Sequence, residues 1–113
     1  MSTRKETIDY LLDQLAQLGG IMAKKMFGEY ALYLEGKVIA LVCDDQLYVK
    51  ITPAGRQYLE EDVCEAPAYS GAKPSFLIDE DRWEDPEWLC GLFACTLPEL
   101  PEPKPKRSSK RPD

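Results

Sequence analysis

Lys25-Met26-Phe27-Gly28-Glu29-Tyr30-Ala31-Leu32-Tyr33-Leu34-Glu35-Gly36-Lys37-Val38-Ile39-Ala40-Leu41-Val42-Cys43-Asp44-Asp45-Gln46-Leu47-Tyr48-Val49-Lys50-Ile51 is rich in Tyr, Val, Ile and Leu. It is punctuated at Glu35-Gly36 and Asp44-Asp45 by pairs the length of a two-residue hairpin loop. The pattern predicts an antiparallel meander of three strands, Lys25–Leu34, Lys37–Cys43 and Gln46–Ile51. Two-residue loops fix a register: Leu34 faces Lys37, Ala31 faces Ala40, Val42 faces Leu47 and Ala40 faces Val49. One sheet face then carries Ala31, Tyr33, Val38, Ala40, Val42, Leu47, Val49 and Ile51, with Glu29 as its one polar group. The other carries Tyr30, Leu32, Leu34, Ile39, Leu41 and Tyr48, rimmed by Lys37, Gln46 and Lys50. An antiparallel sheet with one face in water alternates apolar and polar residues, and this one does not, so both faces need cover. The first face is assigned to the chain's own helices. Tyr30, Leu32, Leu34, Ile39, Leu41 and Tyr48 form the candidate partner surface, to be covered by a protein partner or by a second copy in a homodimer.

Upstream, Ile8, Leu11, Leu12, Leu15 and Leu18 recur on one helical face and Gly19-Gly20 stops the run, which predicts an amphipathic helix of about four turns. Downstream, Thr52-Pro53 is an N-cap followed by proline at the first helical position, opening a short helix to about Glu61. Ala66–Lys73 reads as loop and Pro74–Ile78 as a strand at a sheet edge, because Pro74 cannot donate to a ladder. Asp85-Pro86 repeats the cap-plus-proline signal and starts a last helix to about Thr96, apolar nearly all round and so buried or in an interface. The fold class is α+β, two layers, with an antiparallel meander sheet in α-β-β-β-α-β-α order packed with helices. Residues 1–97 make one domain. Five of the nine prolines fall in residues 98–113, which read as an extended Pro/Lys-rich flexible tail.

The 113 residues carry a formal charge of −6 and no histidine. Without histidine there is no Ser-His-Asp or Cys-His site, no histidine general base and no imidazole-ligated zinc. Residues 98–113 hold five basic and three acidic groups, a balance of +2, which leaves −8 on residues 1–97. An acidic body repels phosphate and anionic headgroups, so direct nucleic-acid binding is expected to be weak or absent and membrane binding absent. No export signal or membrane-length apolar run is present, so a cytoplasmic protein is expected, with Cys43, Cys64, Cys90 and Cys95 as buried thiols in a reducing compartment.

Cys90 and Cys95 lie five residues apart on a helix, about 140° apart around its axis, and cannot grip one metal. Cys43 and Cys64 lack ligand spacing. Asp79, Glu80, Asp81, Glu84, Asp85 and Glu87 lack the order of a calcium loop and sit where helix starts favour carboxylates. No catalytic, metal or cofactor site is assigned, and the chain is read as a non-enzyme. An alternative is a nucleic-acid-associated regulator contacting phosphates through Lys24, Lys25, Lys104, Lys106 and Arg107. A more distant one is a small-molecule binder or enzyme using Cys64 or the carboxylates in a pocket.

Lys25-Met26-Phe27-Gly28-Glu29-Tyr30-Ala31-Leu32-Tyr33, then Gly36-Lys37-Val38, Leu41-Val42-Cys43-Asp44-Asp45 and Leu47-Tyr48-Val49-Lys50, resembles the N-terminal domain of the TfoX/Sxy competence-regulator family. Thr52-Pro53-Ala54-Gly55, Gly71-Ala72-Lys73-Pro74, Asp85-Pro86-Glu87-Trp88-Leu89 and Leu100-Pro101-Glu102-Pro103-Lys104 extend the likeness over about residues 8–106. The resemblance implies an α+β two-layer domain standing without the family's C-terminal domain. It also implies a role in regulating DNA-uptake genes through a protein partner, the cyclic-AMP receptor protein, and no catalytic residues.

Overall fold

The first helix forms where the leucine periodicity places it. In the computed structural model, which describes residues 3–60 and 63–100, α1 spans Lys5–Gln14 and continues into a 3₁₀ turn at Ala16–Leu18. Four strands follow: β1 (Ile21–Met26), β2 (Glu29–Leu34), β3 (Lys37–Cys43) and β4 (Gln46–Val49). Then come α2 (Pro53–Leu59), β5 (Glu65–Pro67), β6 (Pro74–Ile78), α3 (Glu80–Trp83), α4 (Pro86–Thr96) and a 3₁₀ turn at Leu97–Glu99. The six strands form one antiparallel sheet in the order β1-β2-β3-β4-β6-β5. The α+β class and the meander are as the sequence predicts, and both cap-plus-proline signals work. The Thr52 hydroxyl accepts from the Gly55 N–H at 3.0 Å and the Asp85 carboxylate from the Trp88 N–H at 3.2 Å.

Three element assignments change. The expected first strand is two strands, because Phe27-Gly28 turns the chain with left-handed φ of 52° and 82°. An aromatic ahead of glycine is not the Asn-Gly or Asp-Gly signature that marks such turns. The expected loop begins as a strand, β5, which takes the sheet edge, so β6 is paired on both sides and Pro74 lies opposite Pro67 at the ladder's end. A further short helix, α3, lies ahead of α4. Packing also runs past residue 97: Leu100 is buried and its carbonyl accepts from Lys37 Nζ at 3.2 Å. The remainder of the tail lies outside the described residues.

The largest change is one of phase. Leu34 faces Lys37 and Tyr33 faces Val38, but a β-bulge follows, so that Leu32 faces Ala40 and Ala31 faces Leu41 rather than Ala40. Ile39 is the extra residue. A bulge sets two residues of one strand against one of its partner, which switches the alternation of everything beyond it. Leu32 and Leu34 of β2 thereby join Ile39, Ala40 and Val42 of β3, Leu47 and Val49 of β4 and Phe76 and Ile78 of β6 in one buried cluster. The buried apolar residues of the helices, Ile8, Leu11, Leu59, Trp83, Leu89, Leu92 and Phe93 among them, belong to the same cluster. Each contributes roughly 1.5–3 kcal/mol of burial. All the helices therefore lie on one face. Within that layer α2 approaches α4 closely at Gly91, where a Cβ would stand 2.3 Å from the Tyr58 hydroxyl oxygen, and that hydroxyl donates to the Trp88 carbonyl at 2.8 Å.

Candidate interaction surface

Among the described residues no helix lies against the other sheet face. By register it presents Met22, Tyr33 and Val38 in one row, Lys24, Ala31, Leu41, Tyr48 and Leu77 in the next, and Met26 with Glu29 and Cys43 with Gln46 in the third. Ala31, Cys43 and Tyr48 are buried there, outside the main core cluster. Tyr33, Val38, Leu41 and Leu77 are half-buried. The connection from β5 to β6 reaches over part of this face, where Ala68 and Tyr69 line a groove of about 570 Å³ with Met26, Phe27, Glu29, Cys43 and Asp44. Met22 is 55% exposed, Tyr69 57% and Phe27 98%.

Phe27 is the outlier. Its ring stands almost wholly in water, forgoing the burial that makes an aromatic stabilising, and its φ of 52° lies in a region that a bulky side chain rarely adopts. Neither property helps the monomer fold.

The turn that carries Phe27 is held firmly. The Thr3 backbone N–H donates to the Gly28 carbonyl at 3.2 Å, and its hydroxyl donates to the Glu29 carboxylate at 2.6 Å. That carboxylate also accepts from the Asp44 N–H at 3.0 Å, and the Thr3 hydroxyl accepts from the Asp45 N–H at 3.2 Å. The two hairpin turns at this end of the sheet are thus tied through one threonine and one glutamate. Asp45 completes the clasp by accepting from the Arg4 N–H at 2.9 Å and the Thr7 hydroxyl at 2.8 Å, so a turn residue caps α1 from outside the helix. The Arg4 backbone donor, then the Thr7 hydroxyl, hold the Asp45 carboxyl below the usual carboxylate range.

The chemically reactive groups are quiet. Burial, and then the charges of Glu29 and Asp44, push the Cys43 thiol up. Burial does the same to Cys90 and Cys95, so these three stay protonated and poorly nucleophilic at neutral pH. Cys64 is exposed and Cys95 half-buried, against the expectation that all four are buried, and all four thiols are free. Among the described residues no three His, Cys, Asp or Glu side chains converge as metal ligands. In the acidic segment Asp85 caps α4, while Glu80 and Asp81 occupy the first turn of α3. The Arg82 guanidinium lies 4.5 Å from the Trp88 ring centroid.

The bulge splits the expected partner surface. Leu32, Leu34 and Ile39 are core residues beneath the helices, and Tyr30 packs against the edge of that core. Leu41 and Tyr48 lie on the open face, Leu41 half-buried and Tyr48 buried. Lys24 and Lys25, being adjacent on β1, point to opposite faces, and Lys24 Nζ sits 5.2 Å from the Tyr33 ring centroid. Lys104, Lys106 and Arg107 lie outside the described residues. Sequence reasoning missed Met22 and Tyr69, and read Phe27 as part of a continuous strand rather than as a turn residue. The signal for Phe27 was its spacing: with Gly28 it makes the same two-residue break as Glu35-Gly36.

Comparison with known proteins identifies the family by sequence. The chain is 33% identical over 111 residues, 98% of its length, to an uncharacterized 12.7 kDa protein in the trpE 5′ region of Spirochaeta aurantia, and the match covers 95% of that relative. The sequence profile of the TfoX N-terminal domain matches residues 13–98, which takes in every strand, and the chain belongs to the TfoX N-terminal domain family.

Proposed function

We propose that the chain is a non-enzymatic protein-interaction module of the cytoplasm, which contributes to transcriptional regulation of competence-type genes through a protein partner docked on the open sheet face. The observation that carries the reading is the uneven cover of the sheet. One face is sealed by four helices, while the other leaves Met22, Tyr33, Val38 and Leu41 accessible beside a fully exposed Phe27. Exposed apolar groups grouped on one face of a soluble domain mark interaction sites. Aromatic and methionine side chains are the types enriched at interface centres.

The partner implied by family resemblance is the cyclic-AMP receptor protein. Titrating it into the isotope-labelled chain is expected to shift the amide resonances of Met22, Tyr33, Leu41 and Tyr69 and to leave α1 and α4 in place. Shifts confined to the helices, or none, contradict the reading. Met22→Glu is expected to weaken binding about tenfold or more with little change in melting temperature, because the side chain is already more than half exposed.

A further inference from the structure

The open face carries a projection and a recess side by side. Phe27 stands out from the β1–β2 turn, and next to it lies the groove floored by Cys43 and flanked by Asp44, Ala68 and Tyr69. An isologous two-fold contact has one geometric requirement, that a single patch be complementary to itself. A knob beside a hole meets it.

The charges follow the same arrangement. Lys24 lies on the open face of the strand that leads into the knob, and Glu29 and Asp44 line the hole. A two-fold axis between two such patches brings the Lys24 ammonium of each copy toward the Glu29 and Asp44 carboxylates of the other. The acidic excess of the body does not oppose this approach closely. The exposed carboxylates of Asp9, Asp13, Glu80, Asp81, Glu84 and Glu87 all sit on the helical layer, away from the open face.

Area is sufficient too. Six strands about 4.8 Å apart and about five residues long on average present a face of about 500 Å². Two such faces, with Phe27 adding about 150–250 Å² on each copy, reach the range of about 1,200–2,000 Å² in which specific interfaces lie.

We infer that the open face is completed by a second copy of this chain, in a two-fold dimer in which each Phe27 ring seats in the groove between Tyr69 and the Asp44 turn of the other copy. This rests on the reading of that face as a protein-docking surface and names its resident occupant. A foreign partner then reaches the face by displacing the second copy.

Sedimentation equilibrium of the full 113-residue chain, over about a hundredfold range of concentration, tests the inference. The wild type is expected to pass from monomer to dimer. Phe27→Asn is expected to raise the dissociation constant about thirtyfold or more. Asparagine tolerates the left-handed turn, so the variant's melting temperature as a monomer should not fall, which separates lost association from lost folding. Tyr10→Ser, on an exposed site of the helical layer, should leave the dimer unchanged. A chain that stays monomeric at the highest concentration, or a dimer indifferent to Phe27→Asn, overturns the inference. A monomer whose Met22, Tyr33 and Leu41 resonances still shift with the cyclic-AMP receptor protein overturns the second copy and spares the docking reading. A monomer without those shifts removes both.

Discussion

Leu32 and Leu41 sit on neighbouring strands of one sheet, diagonally across a ladder, and have opposite surroundings. Leu32 is completely buried beneath the helices, while Leu41 is half-buried on the face that no helix covers. Both belong to runs that look equally apolar in the sequence. The difference teaches that equally apolar stretches of this meander have two fates: one set of side chains closes the core, and the other stays on the face that the described helices leave open. The bulge at Ile39 decides which residue meets which fate.

The sharpest way to break that comparison is to truncate both leucines. Leu32→Ala is expected to lower the unfolding free energy by about 3 kcal/mol, within the span for fully buried leucines that leave a cavity. Leu41→Ala should cost under about 1.5 kcal/mol, and both are read by urea denaturation. Equal losses would mean that the open face is packed as tightly as the core.

A smaller effect is expected at the clasp, which fixes the end of the sheet where the two faces meet. Asp45→Asn should destabilise the fold by about 1 kcal/mol, since a poorer acceptor then faces the Arg4 N–H and Thr7 hydroxyl. The sign with pH follows from the lowered carboxyl. Its contribution is fully present above the usual carboxylate range and is lost as pH falls through its lowered value in the folded state. Thermal unfolding of the two proteins should therefore differ at neutral pH and converge in acid. A constant difference across pH would show that the Asp45 charge plays no part.

The smallest effect has the opposite sign. Phe27→Asn is expected to raise monomer stability by about 0.5 kcal/mol, because asparagine accepts the left-handed backbone that phenylalanine resists. Calorimetry of dilute protein reads it. A loss of stability instead would show that Phe27 has a structural task within one chain.

Much of the architecture was legible because it depends on local signals. Thr52-Pro53 and Asp85-Pro86 announce α2 and α4, and the spacing of Ile8, Leu11 and Leu15 announces α1. The Glu35-Gly36 and Asp44-Asp45 turns fall where the strand alternation breaks. The bulge was not legible, because Val38-Ile39-Ala40-Leu41 is apolar at every position and carries no polar residue to reveal a change of phase. That one residue moved Leu32, Leu34 and Ile39 from the expected partner surface into the core. Phe27 was hidden for a related reason, since an aromatic at the start of a Tyr-rich apolar run reads as strand until its backbone turn is seen. The second role of Asp45, as the external cap of α1, depends on a contact across 41 residues of chain that no local pattern encodes.

The central claim is that one sheet face is closed within the chain and the other is left for a protein. It is tested most directly by broadening side-chain resonances with a soluble paramagnetic agent in dilute and then concentrated protein. In dilute protein the Met22 and Leu41 methyls and the Phe27 ring should broaden strongly while Leu32, Ile39 and Val42 are spared. In concentrated protein the first group should become protected. Broadening of Ile39 as strong as that of Met22, or a Phe27 ring already shielded in dilute protein, would contradict the account.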